Sequence, residues 1–218
     1  MNNVTETDNS TFDSESNLDE LLFQNSPYCD LDKFTEYFKH NNRYFSVFSL
    51  NTQGLSTSFN ELLSLVKILE NQQTKIDVLC FQECRVQESL SATYQIPGYQ
   101  MFCTSPTVSG AGGLITYVSD EFSCAAIHIV NDHTNLWEHL FVEISGGDLS
   151  KKIILGNTYR ATRTLNDLIL FIENFRSTYN TLNTNSNEMI ILGDFNINLL
   201  KIDTYRYYND FYENLMSD

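Results

Sequence analysis

The chain has 218 residues, of which 42% are hydrophobic and 19% are charged, and its formal net charge is −15. Its length and apolar fraction are typical of one globular domain with a substantial core and exclude a wholly disordered chain. The negative charge disfavours tight, nonspecific adhesion to nucleic acid, because contacts between basic side chains and phosphates supply most of that affinity.

The N-terminal 42 residues form an acidic, polar head. Nine acidic and two basic side chains lie between Met1 and His40. The stretch up to about Pro27 is rich in Asn, Ser, Thr, Asp and Glu, and it buries too little apolar surface to offset the entropy of ordering it. We therefore expect residues 1–42 to be disordered and residues 43–218 to hold the folded domain.

Hydropathy and cysteine spacing predict the cellular compartment of the protein and the state of its thiols. No window holds the apolar run of a membrane helix, and residues 1–10 are polar rather than secretory, which predicts an intracellular protein of the nucleus or cytoplasm with no membrane partner. The five cysteines are odd in number and lack paired C-x-x-C spacing. We expect them to be reduced, inert thiols without a metal or disulfide role.

The first predicted elements are a strand, a helix and a strand. Residues 44–50 predict a strand, and the Ser-Phe-Asn-Glu segment at 58–61 has the capping-box pattern of a helix start. Leucine and valine then recur at helical spacing from 62 to 69. Residues 76–81 are almost continuously apolar, which predicts a strand that is covered on both faces.

Strand patterns dominate the middle of the chain, at residues 99–103, 114–118, 124–130 and 136–144. Polar or glycine-containing turns separate them, so we expect antiparallel hairpins. The glycine cluster at 110–113 lacks the Lys-Ser/Thr ending of a phosphate-binding loop, which favours a hairpin turn there.

The last predicted elements are a strand at 152–159, a long helix at 164–182 and a strand at 188–192. The helix carries an apolar face that includes Leu165, Leu168 and Phe175. Mixed strands with helices inserted at two points predict an α/β fold of packed sheets flanked by helices.

Polar side chains follow four of these strands at the point where each strand ends: Asn51, Glu83, the pair Tyr159 and Arg160, and the pair Asp194 and Asn196. Sheet proteins build sites where the loops of separate strands converge. We therefore interpret these six residues as one candidate site.

The acidic and amide residues suit phosphodiester hydrolysis. Glu83 is a hard oxygen ligand for Mg²⁺, which takes one or two protein carboxylates together with water and substrate phosphate. Asp194 can take a proton from an attacking water. Asn51 and Asn196 can fix phosphate, water or metal by hydrogen bonds.

Tyr159 and Arg160 supply hydrogen-bond donors for phosphate oxygens, Tyr159 through its phenol and Arg160 through its charged guanidinium.

Each candidate residue also has a simpler, structural explanation when it is considered alone. Asn51 could cap a loop, Glu83 could be a solvated charge, and Tyr159 could be an aromatic residue at a sheet edge. The order of the four clusters is more specific than any one of them.

Four segments in this order resemble the endonuclease/exonuclease/phosphatase family: Asn51-Thr52-Gln53-Gly54-Leu55, Val78-Leu79-Cys80-Phe81-Gln82-Glu83, Asn157-Thr158-Tyr159-Arg160 and Ile191-Leu192-Gly193-Asp194-Phe195-Asn196. Within that family the chain looks most like the apurinic-type endonuclease domain of non-LTR retrotransposon polyproteins. The resemblance covers residues 43–218 and leaves the acidic head unexplained.

The resemblance implies a four-layer sandwich of two mixed sheets between helices, and it implies roles for the site residues. Glu83 is the ligand of Mg²⁺, with Mn²⁺ as the alternative, and Asn51 assists it. Tyr159 contacts phosphate, Asp194 positions or deprotonates water, and Asn196 orients the scissile phosphate. DNA is the implied substrate, and a reverse transcriptase domain would follow in the parent element.

The sequence departs from the family pattern in three places. Gln53 stands where an acidic or small polar residue is common, and Ala161-Thr162 stands where retrotransposon domains have prolines. Family members also close with a Ser-Asp-His segment on a late strand, and nothing after Asn196 supplies it.

All four histidines precede Asp194 in the chain, and we expect each to be a surface or hairpin residue: His40, His128, His133 and His139. We therefore expect a C-terminally incomplete domain that lacks its last strands and folds poorly alone or is inactive, because an unpaired sheet edge is an aggregation liability.

Two other functions stay open at this point. A lipid or nucleotide phosphodiesterase of the same family is compatible with motifs that bind phosphate and metal rather than bases, and the acidic charge favours it. A catalytically dead interaction domain is compatible with the missing histidine, with the acidic head as its binding segment.

Overall fold

The computed structural model describes residues 30–40, 44–107, 111–127, 135–161, 164–184 and 186–216. The chain divides into two units, Met1–Asn42 and Arg43–Asp218. In the first unit, helix α1 (Leu31–His40) begins where Asp30 Oδ1 accepts a hydrogen bond of 2.9 Å from Lys33 N, the contact that defines a helix N-cap. The disorder predicted for the whole head is therefore wrong for residues 31–40, where the capped helix forms. Residues 1–29 lie outside the described part, so the disorder predicted there stays a prediction.

In the described part of the second unit there are eight strands, three α-helices and two short 3₁₀ helices. The strands are β1 (Val47–Asn51), β2 (Val78–Gln82), β3 (Tyr99–Thr104), β4 (Leu114–Ser119), β5 (Ser123–Ile127), β6 (Trp137–Ser145), β7 (Lys152–Arg160) and β8 (Asn187–Asp194). The α-helices are α2 (Leu55–Asn71), α3 (Leu165–Leu182) and α4 (Arg206–Met216), and the 3₁₀ helices are Glu88–Tyr94 and Leu199–Lys201.

The strands form two sheets of four, in the orders β1-β2-β4-β3 and β5-β6-β7-β8. The pairs β1–β2 and β7–β8 are parallel, and all the others are antiparallel. Both sheets are therefore mixed, which confirms the predicted sandwich of two mixed sheets with flanking helices. The parallel pairs matter for the site, because each brings the carboxyl ends of two strands to the same sheet edge.

The start of α2 differs from the prediction. The helix begins at Leu55 with Gly54 as N-cap and without a side-chain cap, so the capping box predicted at 58–61 is wrong. Leu55 is only 1% exposed and its N–H donates to Cys84 O at 3.0 Å, which fixes the helix start beside β2. A capping box does form at α3, between Thr164 and Asp167.

Two apolar cores lie against the sheets. One is lined by buried side chains of both sheets, including Val78, Leu140 and Leu155. The other is aromatic and contains Trp137 together with Phe171 of α3 and Phe211 of α4.

The buried face of α3 is centred away from the predicted residue Leu165, which is 52% exposed. Leu168 and Phe175 are buried as predicted, and Phe171 is fully buried between them. The buried stripe therefore begins one turn later than the sequence pattern indicated.

A buried polar bridge joins the two sheets. Asn157 of β7 is fully buried, and its Oδ1 accepts a 2.7 Å hydrogen bond from Gln82 Nε2 of β2. Its Nδ2 donates to Phe81 O and Ile115 O of the other sheet at 3.2 and 3.1 Å. A buried polar network whose members are all paired selects one packing arrangement. The bridge therefore fixes β2 relative to β7, immediately before Glu83 and Tyr159.

None of the helices in the described ranges has the length and apolar character needed to cross a lipid bilayer.

Candidate active site

A single amide group joins the two carboxylates of the site. Asn51, at the end of β1, donates from Nδ2 to Glu83 Oε1 and to Asp194 Oδ2, each at 2.8 Å. Its Oδ1 accepts from Gln53 N at 3.1 Å, which fixes the orientation of the amide. Two carboxylates repel each other at short range, and a donor between them offsets that repulsion. Strands of two different sheets therefore deliver one compact acidic centre.

The backbone on either side of this centre is constrained. Glu83 follows β2 with φ of 49°, a left-handed conformation that is uncommon for a residue with a side chain and that concentrates at functional sites. Gly193 precedes Asp194 with φ of 142°, and a Cβ on it would lie 1.9 Å from Thr158 O. Only glycine fits there, so the close approach of β8 to β7 fixes the position of Asp194.

Tyr159 lies beside both carboxylates and is 5% exposed. Burial raises the pKa of its phenol to about 12, and the charge of Glu83, a hydrogen bond to Glu83, and the charges of Asp194 and Glu138 act in the same direction. The phenol therefore stays protonated near neutral pH and serves as a hydrogen-bond donor.

Arg160 and Asn196 hold each other in a reciprocal clamp. The guanidinium donates from Nε to Phe195 O and from Nη2 to Asn196 O, both at 2.6 Å, and Asn196 Nδ2 donates back to Arg160 O at 2.6 Å. Arg160 Nη1 donates to Ala161 O at 3.3 Å. The guanidinium also lies over the Phe171 ring, 5.7 Å from its centroid. All three guanidinium nitrogens therefore contact backbone carbonyls.

The six predicted site residues thus form two adjoining groups. Asn51, Glu83, Tyr159 and Asp194 make the acidic centre, and the second group is the Arg160–Asn196 clamp. A hydrogen bond from Asn196 N to Asp194 Oδ1 of 3.0 Å connects the groups.

Arg85 has no role in the sequence-based prediction, yet it forms an ion pair with Glu83 of the acidic centre. Its Nη2 is 3.1 Å from Glu83 Oε2, and the side chains of Arg85 and Glu83 are 47% and 13% exposed. The bridging residues Gln82 and Asn157 also had no predicted role, although both stand inside the four segments quoted above. What could have identified them in the sequence is that each is a polar residue at a position of an apolar strand where the side chain is expected to face the core.

His139 is the histidine whose side chain the structure describes, and it lies away from the acidic centre on the α3-facing side of β6. Its Nδ1 is 2.9 Å from Thr158 Oγ1, and its ring stacks on Phe171 with centroids 6.1 Å apart. Burial lowers the pKa of its imidazole to about 4, and a hydrogen bond to Asn174 opposes this. His139 is a hairpin-strand residue, as expected, but its ring packs among aromatic side chains.

The cysteines that the structure describes are all free. Cys80 and Cys84 are buried, and burial raises the pKa of each thiol to about 12, which suppresses the reactive thiolate. Within the described ranges there is no cluster of three or more His, Cys, Asp or Glu side chains of the kind that holds a metal by protein ligands alone.

Comparisons with known proteins agree with this architecture. The sequence model described as "Endonuclease/Exonuclease/phosphatase family" matches residues 48–214. No curated relative matches the chain in sequence.

Three solved structures share the fold at low sequence identity. An AP endonuclease from Archaeoglobus fulgidus has a TM-score of 0.55 and 13% identity, over 80% of this chain and 70% of that one. The endonuclease domain of TRAS1, a telomere-specific non-LTR retrotransposon, has a TM-score of 0.52 and 14% identity, over 78% of this chain and 70% of that one. A mannosyl-6-phosphatase from Bacteroides thetaiotaomicron has a TM-score of 0.53 and 15% identity, over 77% of this chain and 70% of that one. The chain thus spans about 70% of the length of each structure.

Proposed function

Since the chain belongs to the endonuclease/exonuclease/phosphatase family, we propose that it hydrolyses phosphodiester bonds of DNA in a reaction that depends on Mg²⁺, with Mn²⁺ as an alternative ion. The observation that carries the proposal is the acidic centre, in which Asn51 hydrogen-bonds the carboxylates of Glu83 and Asp194 at once. A phenol donor, Tyr159, stands beside them. Carboxylates for metal and water, with neutral donors for phosphate oxygens, make up a phosphoester-hydrolysing site.

The oxygen donors of the centre fit a magnesium ion. Mg²⁺ takes one or two protein carboxylates and completes its shell with water and substrate phosphate, so a site without a larger ligand cluster suits it. Glu83 would hold the ion with help from Asn51. Once bound, such an ion neutralises charge that develops on the phosphate. Enzymes of this family generally use divalent metal ions.

The remaining residues bind substrate and move a proton. Asp194 accepts the proton of the attacking water. The hydrogen bonds from Asn51 Nδ2 and Asn196 N fix the orientation of its carboxylate for this role. Tyr159 hydrogen-bonds Glu83 in the free protein, and its one phenol hydrogen turns to a phosphate oxygen when substrate binds. Asn196 uses the amide hydrogen that does not bond Arg160 O to orient the scissile phosphate.

Arg160 acts on the substrate through the clamp. A guanidinium that donates to three backbone carbonyls has few donors left for phosphate. The sequence-based expectation was direct phosphate contact, and we now assign Arg160 the task of fixing the turn that carries Asn196. Arg85 is half-exposed beside Glu83 and is better placed to meet an incoming phosphate.

DNA is proposed as the substrate because an apurinic endonuclease and a retrotransposon endonuclease share this fold. A lipid or nucleotide phosphodiester is the second candidate, and the net charge of −15 favours it because a small substrate does not need a broad basic surface. A downstream reverse transcriptase stays a prediction from the resemblance.

The test is nicking of supercoiled plasmid DNA with Mg²⁺ and with EDTA. Relaxed circles that form only with the metal, at a rate at least about 100-fold lower in Glu83→Ala and in Asp194→Ala, support the proposed activity and contradict the inactivity expected from the sequence. The exposed residues Glu61 and Asp148 supply the matched controls Glu61→Ala and Asp148→Ala. Nicking that survives both site substitutions overturns the assignment.

Two other outcomes select the alternatives. Hydrolysis of nucleotide or lipid head-group phosphodiesters without DNA nicking moves the substrate to the second candidate. Mn²⁺ binding that Glu83→Ala abolishes, with no turnover of any phosphodiester, indicates a catalytically dead interaction domain and overturns the proposed activity.

A further inference from the structure

Glu138 of β6 is a buried carboxylate outside the four segments that point to the family. It is 4% exposed. Its Oε1 accepts from Thr107 N at 2.6 Å and from Thr107 Oγ1 at 2.9 Å, and its Oε2 accepts from Gly113 N at 2.6 Å. Hydrogen bonds to an ionised acceptor are short and strong, so both carboxylate oxygens are tied to the connection between β3 and β4.

The fit between Glu138 and this connection is tight. Gly112 has a φ of +84°, and a Cβ on it would lie 2.4 Å from Glu138 Oε1. No other residue can occupy that position without moving the carboxylate. The Gly112-Gly113 backbone therefore docks directly on the Glu138 carboxylate.

The same two glycines hold the segment that follows Glu83. Cys84 N donates to Gly113 O at 2.9 Å, and Arg85 N donates to Gly112 O at 3.0 Å. Glu83 and Arg85 both have positive φ values, 49° and 55°. Such conformations persist in residues with side chains only where surrounding contacts determine them.

We propose that Glu138 is a positioning residue for Glu83, acting through Gly113 and Gly112 on the Cys84-Arg85 backbone. The consequence for metal binding rests on the proposed function, whereas the structural link does not. Glu138 is not itself a ligand, because three donors already occupy its oxygens. Glu138 holds Gly113 by the hydrogen bond to Oε2 and packs closely against Gly112, while its Oε1 accepts from Thr107 at the other end of the connection.

The Glu138→Gln substitution tests this link with little change of shape. The amide has one acceptor oxygen, and its NH₂ group must face a donor, either at Thr107 or at Gly113. We expect hydrogen exchange of the Cys84 and Arg85 amides, followed by NMR, to accelerate about tenfold, the equivalent of one hydrogen bond. We expect the Mg²⁺ concentration for half-maximal nicking to rise several-fold.

Two further variants separate positioning from lost stability. Val142→Ala creates a cavity in β6 without touching the hydrogen bonds of Glu138, so it should lower Tm. The Mg²⁺ dependence of nicking should stay unchanged. The hydrogen-exchange rate of the Cys84 amide, divided by that of the β7 amides, should also stay unchanged. Thr107→Ala removes only the hydroxyl donor and should accelerate the exchange of both amides slightly, about twofold, even if Glu138→Gln does not fold.

Unchanged exchange at Cys84 and Arg85 in Glu138→Gln, or an equal effect of Val142→Ala, overturns the proposal. If the wild-type chain nicks no DNA, the exchange result still decides the link between Glu138 and the Glu83 segment. Failure of the proposed function is therefore distinguishable from failure of this inference.

Discussion

Asn51 and Asp194 are 143 positions apart in the sequence, yet Asn51 Nδ2 donates to Asp194 Oδ2 at 2.8 Å. The two residues end β1 and β8, which belong to different sheets. This hydrogen bond is thus a tertiary contact on which the acidic centre depends.

Replacing Asn51 by alanine should lower the nicking rate about 100-fold, since it removes the donor that both carboxylates share. Tm should fall by only a few degrees, because the centre is partly open to water. Plasmid nicking and thermal unfolding measure the two effects. Asn60→Ala, on an exposed position of α2, is the matched control. Full activity in Asn51→Ala contradicts the assignment.

Replacing Arg160 by lysine tests the clamp. Lysine cannot reproduce the planar fork that donates to Phe195 O and Asn196 O, so the free energy of unfolding should drop by about 2 kcal/mol and kcat should fall more than KM rises. Urea unfolding and steady-state kinetics report these changes, with Arg176→Lys on α3 as control. An increase in KM with unchanged stability instead supports direct phosphate contact by Arg160.

Replacing Gly193 by alanine should be strongly destabilising. The added Cβ would lie 1.9 Å from Thr158 O, so β8 must shift, at a cost of more than about 2 kcal/mol. Gly98→Ala is the matched control, because Gly98 has φ of +81° but nothing within 4 Å of an added Cβ, which leaves only backbone strain of about 1 kcal/mol. Equal unfolding midpoints in urea for the two variants contradict the close approach.

The pH dependence of stability should contain a contribution from His139. Because burial lowers the pKa of the folded imidazole to about 4, the unfolded chain binds more protons between pH 4 and about 6.5. Stability is therefore lost as pH falls through that window, and by at most about 3 kcal/mol from this residue. Urea unfolding at several pH values should show a smaller loss in His139→Phe. Identical pH profiles contradict a neutral, buried imidazole.

The site could be predicted as a set of residue types because each of its members stands at or just after the end of an apolar strand, where a polar residue is easily noticed. The pairing of Asn51 with Asp194 could not be predicted from these local patterns, since it depends on how the two sheets pack. The clamp was missed for another reason: the partners of Arg160 are backbone carbonyls, which no sequence position marks.

Glu138 illustrates the same limit for a buried charge. An acidic residue beside Trp137 in a largely apolar strand indicates a solvated charge as readily as a buried anchor. Its partners include the backbone N–H groups of Thr107 and Gly113, which become available only when the β3–β4 connection adopts its folded conformation. The start of α2 was misplaced similarly, because the buried Leu55 outweighed a local capping pattern.

The division of the acidic centre between two sheets also bears on how the protein folds. Asn51 and Glu83 come from one sheet, and Tyr159 and Asp194 come from the other. A folding intermediate with one sheet formed and the other still unstructured would hold half of the centre and lack the Asn51–Asp194 hydrogen bond. Since long-range contacts form late when their loop-closure entropy is large, catalytic competence should be among the last properties a refolding chain acquires.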